Sequence, residues 1–142
     1  MSKQEKTMQV LIVEPNKPAY AAEIGGSLAD MQKIVGGLIQ AVYPYEEPVA
    51  IICNDEGKME GLPLNRALRY DSGEIYDIIA GTFFICGLDE DNFASLSPEY
   101  MEKFKREFSE PEIFGRVNGE IVAVRVTVEY LQDSPPPEPN GG

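Results

Sequence analysis

Histidine and tryptophan are absent from the chain. Without histidine there is no side chain whose ordinary pKa lies near neutrality, and the commonest metal ligand is missing. A serine–histidine–aspartate triad, a cysteine–histidine pair and a histidine-ligated zinc site are therefore excluded within one chain. Cysteine is scarce. Cys53 and Cys86 are too few for a four-cysteine zinc site and too far apart for a CxxC redox motif. Both sit in apolar runs, as buried thiols do. No apolar run approaches the ~20 residues that span a bilayer. The start, Met1-Ser2-Lys3-Gln4-Glu5-Lys6, lacks the apolar stretch of a signal peptide. Neither the phosphate loop GxxxxGKS/T nor the dinucleotide fingerprint GxGxxG occurs. These absences predict a cytoplasmic, non-catalytic protein with no cofactor, no bound metal and no membrane contact.

What is present is acid. The 142 residues carry 24 acidic and 12 basic side chains, a formal charge of −12, and 43% are hydrophobic, enough for a core. The charge is uneven: residues 71–102 hold Asp71, Glu74, Asp77, Asp89, Glu90, Asp91, Glu99 and Glu102 and no base at all. Phosphate contact needs a basic footprint, so direct nucleic-acid binding is not expected. Two roles fit the acidic block. It is a solvated face that maintains solubility, or a surface that covers a partner's basic groove by mimicking phosphate charge.

Along the chain, Met8 to Val13 has the length and apolarity of a strand, and Glu14-Pro15-Asn16-Lys17-Pro18 turns it. Ala19 to Ile24 then returns as a second strand. Ser27 is a natural N-cap, Leu28, Met31 and Val35 recur at helical spacing, and Gly36-Gly37 end that helix. Leu38 to Tyr43 and Val49 to Cys53 read as strands. Gly61 to Arg66 reads as ordered loop, and Ile78 to Cys86 as one apolar strand in which Gly81 marks a bulge or a close backbone approach. Ser97-Pro98 opens a second helix. Asn118-Gly119 is a hairpin turn, followed by a period-two strand from Val122 to Val128 with one buried face. The expected class is α+β, a mostly antiparallel sheet with two short helices packed on one face and a C-terminal β-hairpin. The expected division is a core at 1–109, a hairpin extension at 110–132 and a disordered proline-rich tail at 133–142.

Several stretches carry a family likeness. They are Val10 to Pro15, Met31 to Ile39, Asn54 to Lys58 with Gly61 to Arg66, and Ile79 to Gly87. In this order they resemble the domain of unknown function 3846 family, over roughly residues 8–108. The resemblance implies a setting in phages, plasmids and conjugative elements of Gram-positive bacteria. It implies no particular activity and no particular site residues. Small acidic proteins in that setting often act by binding, either to a host defence enzyme or to the small signal that activates one.

Two constellations are candidates for such binding. In the first, Asn65, Arg66 and Arg69 grip a small anionic, nucleotide-like ligand near Gly36 and Gly37 or near Gly81 and Thr82. Arginine suits phosphate or carboxylate, and asparagine both donates and accepts. Alternatively, Arg66 pairs with a nearby carboxylate and Asn65 caps a turn. In the second, Tyr43 and Tyr45 with Asp89, Glu90 and Asp91 meet a host defence protein. Both tyrosines also suit the edge of a core with their hydroxyls in water. Asp89 to Asn92 departs from the calcium-loop spacing and reads as solvated loop. The preferred expectation is ligand sequestration against host defence. The alternatives are an acidic interaction module and, third, a carboxylate-dependent enzyme. Self-association of the chain is left open.

Overall fold

The computed structural model describes residues 7–90 and 92–127. Strand β1 (Thr7–Val13) buries Met8 and then every residue from Val10 to Val13. A strand apolar on both sides requires cover on both faces of its sheet. The fold provides it. A turn with Asn16 at φ 66° returns the chain as β2 (Tyr20–Gly25), antiparallel to β1 with Met8 opposite Ile24. β3 (Ile39–Val42), β4 (Val49–Asn54) and β7 (Phe83–Asp89) complete the order β2-β1-β7-β4-β3, and β8 (Asn92–Ala94) pairs with the end of β7. Every residue of β4 is buried. Each strand pairing among the described residues is antiparallel, which makes the fold α+β as expected.

Helix α1 (Leu28–Val35) starts where Ser27 accepts from the Asp30 amide while the Asp30 carboxylate reaches back to the Ser27 amide. Both ends obey local chemistry, for Gly36 closes the helix at φ 84°, a conformation glycine adopts without steric cost. Helix α2 (Pro98–Glu107) begins at the Ser97 cap with proline in its first turn. The two helices do not share a face. Met31 and Val35 of α1 pack with Val10, Ile12, Ile52 and Phe84. Phe104 of α2 packs instead with Leu11, Val13, Ile51 and Phe83 on the other side. The expectation of both helices on one face is corrected, because alternating β1 residues supply two apolar layers and each needs a lid.

The second layer is completed by a small sheet of β5 (Leu64–Arg69) and β6 (Ile75–Ala80), whose Leu68 and Ile79 join it. Leu64 to Arg66 is thus strand rather than loop. The apolar run from Ile78 to Cys86 is likewise two strands in different sheets. Gly81, at φ 84°, turns the chain between them, and a Cβ there would lie 2.7 Å from Leu62 Cδ1.

β9 (Glu112–Val117) and β10 (Glu120–Arg125) form the expected C-terminal hairpin, with Asn118 and Gly119 both at positive φ. The valines are on the wrong side for a buried face. Val117, Val122 and Val124 share one face with Ile113, and all four are exposed. The inward face carries Glu112, Phe114 and Ala123 instead. Val128 and the proline-rich tail lie outside the described residues. No helix among the described residues is long and apolar enough to cross a membrane.

Candidate functional site

Asn65 and Arg66 are polar residues at fully buried strand positions, both 0% exposed. Asn65 Nδ2 donates to the Val13 carbonyl at 2.9 Å and the Gly81 carbonyl at 2.8 Å. Its Oδ1 accepts from Arg66 Nη1 at 2.8 Å. Arg66 Nη2 donates to the Lys17 carbonyl at 2.6 Å and the Phe108 carbonyl at 3.0 Å. Burial lowers the guanidinium pKa to about 10, so it remains charged at neutral pH. Among the described residues no carboxylate forms an ion pair with it, and Nε has no hydrogen-bond partner. The pair therefore clamps four backbone segments and presents no donor to solvent.

Of the glycines grouped with this pair, Gly81 does meet Asn65, through its carbonyl, with half-buried Thr82 beside it. Gly36 and Gly37 close α1 on the opposite face of the main sheet. Gly37 packs against Asn54, where a Cβ would stand 2.9 Å from Nδ2. Asn54 is buried and ties the end of α1 to the following turn, donating to the Val35 carbonyl and accepting from the Glu56 amide.

Arg69, at the end of β5, has a different setting. Its guanidinium takes the Glu112 carboxylate with both arms, at 3.0 and 3.3 Å, and the Glu112 side chain is 2% exposed. Arg69 also donates to the Ala123 carbonyl. This anchors the C-terminal hairpin to β5. Between β5, β6, α2 and β10 the anchor leaves a cleft of about 420 Å³.

Three tyrosines meet there. The rings of Tyr70 and Tyr76 stand 4.8 Å apart, at the two sides of the β5–β6 turn. The Tyr45 ring packs 4.7 Å from Phe104. Its hydroxyl pKa is raised, by burial first and then by Glu107, Tyr76 and Glu47, so it stays an O–H donor well into alkaline solution. Three cations line the same space. Besides Arg69 they are Lys103, which pairs with Glu47, and Arg125, which stands 3.6 Å from Glu107. Asp71 adds a carboxylate at the rim.

The cleft thus gathers Arg69 and Tyr45, which the sequence had placed in separate constellations, with Tyr70, Tyr76, Lys103, Glu107 and Arg125, which it had not singled out. Two tyrosines flanking a turn signal at Asp71-Ser72-Gly73 were the one local sign available. Tyr43 does not enter; it is exposed on its own. Asp89 and Glu90 are exposed at the β7–β8 turn, Glu90 at φ 58°, while Asp91 lies outside the described residues. No group of three or more metal-ligating side chains occurs among the described residues. Cys53 and Cys86 are free and buried in opposite apolar layers, their thiols pushed up by burial to about 11 and about 12.

The family model described as Domain of unknown function (DUF3846) matches residues 8–109. The match ends before β9, so the Glu112 anchor and Arg125 stand outside it. No curated protein and no solved structure matches the chain.

Proposed function

The chain belongs to the DUF3846 family, a domain of unknown function, and on that premise we propose that it is a non-catalytic protein that captures a small anionic, nucleotide-like ligand. The supporting observation is the cleft between β5, α2 and the C-terminal hairpin. Within a chain of net charge −12, three tyrosines and three cations converge on one concavity of ligand size. Tyrosine faces stack on nucleobases, and guanidinium groups take phosphate oxygens. The Asn65–Arg66 pair serves this site from behind, holding β5 against the end of α2. In this reading the protein acts for a phage or mobile element by removing a signal that its host uses for defence. That setting rests on the sequence resemblance.

Native mass spectrometry of the full chain exposed to bacterial extract tests the proposal. A small extra mass, held under gentle conditions and released on denaturation, is expected. The bare chain under both conditions would contradict it.

A second reading, the acidic interaction module, is supported by a different observation. Each described carboxylate of residues 71–102 is exposed, and of these only Asp77 has a basic partner among the described residues, Lys58 at 2.8 Å. That reading predicts a stoichiometric host protein in the same experiment. Such a complex should weaken steeply with added salt and with charge reversal at Asp89, Glu90 and Asp91.

A further inference from the structure

The charges lining the cleft limit the charge of what it can hold. Arg69 is committed, since both its arms grip Glu112, whose side chain is out of solvent. Lys103 is drawn to Glu47 and lies over the Phe104 ring, 5.5 Å from its centre. Arg125 differs. Its Nη2 is 3.6 Å from Glu107, longer than a hydrogen bond, and the two side chains are 45% and 49% exposed. Its guanidinium donors are therefore available to an incoming oxygen at little cost.

The acceptors set the other limit. Glu107 and Asp71 stand in the same lining, and Glu112 and Glu47 lie just behind it. These four carboxylates exceed the three cations by one charge. Charges within the Debye length, about 8 Å at physiological salt, are only partly screened. A ligand with one negative charge gains Arg125, while each further charge meets Glu107 or Asp71. Those carboxylates and the protonated Tyr45 hydroxyl also call for a ligand that both donates and accepts hydrogen bonds. Amino and imino groups of a base with sugar hydroxyls meet that demand. The Tyr70–Tyr76 pair, with both rings partly in solvent, offers the base a flat face.

We infer that the cleft selects a singly charged phosphodiester of a nucleoside and discriminates against nucleoside polyphosphates. This rests on the reading of the cleft as a ligand site. Calorimetric titration of the full chain tests it with three sets of probes: the 3′,5′-cyclic monophosphates of adenosine and guanosine, their 5′-monophosphates and their 5′-triphosphates. At least one cyclic monophosphate should bind ~10-fold or more tighter than the corresponding triphosphate, the factor for about 1.4 kcal/mol of repulsion. Arg125→Ala should weaken the cyclic compound, whereas Glu107→Gln should narrow the gap by admitting the triphosphate. A triphosphate that binds as tightly as the cyclic compound overturns the charge selection and leaves the ligand site standing. No binding by any probe overturns the selection and the ligand site together. The melting temperature of each variant shows whether it is folded, and both positions are surface-exposed.

Discussion

Arg66 Nη2 lies 3.0 Å from the Phe108 carbonyl oxygen, and this one contact ties β5 to the chain leaving α2. β5 carries Arg69, and α2 carries Lys103 and Glu107, so the contact fixes the separation of two walls of the cleft. A charged group held by carbonyls alone is costly to bury and costly to remove.

Arg66→Met keeps the length of the side chain and removes its donors. Asn65 Oδ1 and the Lys17 carbonyl then lose their donor, at roughly 1–3 kcal/mol for each such group, while the Phe108 carbonyl keeps the Ala19 amide. Relief of the buried charge offsets part of this. A net loss of about 3 kcal/mol is expected, read as a lower urea midpoint. An unchanged midpoint would show that the clamp contributes nothing.

Three glycines should rank by what a methyl group meets. Gly36→Ala faces open space and should cost about 1 kcal/mol, for its left-handed backbone alone. Gly81→Ala adds the approach to Leu62 Cδ1 and should cost more. Gly87→Ala is the worst, since its Cβ would fall 2.3 Å from the Ser95 carbonyl oxygen, which is backbone. Thermal melts of the three variants should follow that order, and a Gly87→Ala variant as stable as Gly36→Ala would refute the close approach of Gly87 to the Ser95 backbone.

Glu112→Ala should release the C-terminal hairpin. It leaves Arg69 without its buried carboxylate, a change that costs about 3 kcal/mol where a buried pair is broken. Limited proteolysis is expected to cut near Asn118 in the variant well before it cuts the native chain. Equal rates would mean that the hairpin is held by something other than this pair.

Burial of the two thiols has a pH signature. In the unfolded chain each ionises near its ordinary value of 9.0, whereas the fold holds Cys53 neutral to about 11 and Cys86 to about 12. Above pH 9 the unfolded state therefore binds fewer protons, and stability falls as pH rises. Below pH 9 this contribution is fully present and flat. Urea unfolding across pH 8 to about 10, where Tyr45 and Arg66 begin to titrate, should show the onset of the decline, and replacing both cysteines by alanine should make it shallower. A decline of the same size without the thiols would assign it elsewhere.

Much of this fold is written locally. Ser27 with Asp30, Ser97 with Pro98, and Asn118 with Gly119 each set a cap or turn within four residues, so short windows reveal them. The missed strand β5 fails for a physical reason. Asn65 and Arg66 are its most buried positions, and their polarity hides the strand, because their partners are carbonyls up to 52 residues away. The misplaced helix has a comparable cause: the unbroken run from Val10 to Val13 signals cover on both faces, a statement about layers rather than about which helix supplies each. The cleft was least legible. Tyr45, Arg69, Lys103 and Arg125 come from four distant segments, and the attachment of the hairpin to β5, through Glu112 and the Ala123 carbonyl, brings the last of them in.

The most direct measurement is a two-dimensional amide NMR titration of the full, isotope-labelled chain with adenosine 3′,5′-cyclic monophosphate, followed by guanosine 3′,5′-cyclic monophosphate. Saturable shifts should cluster at Tyr45, Arg69 to Tyr76, Lys103 to Phe108 and Arg125, with little change at Gly36 and Gly37 across the sheet. Shifts centred on those glycines, or no saturable shift with either compound, would contradict the assignment of the cleft as the binding site.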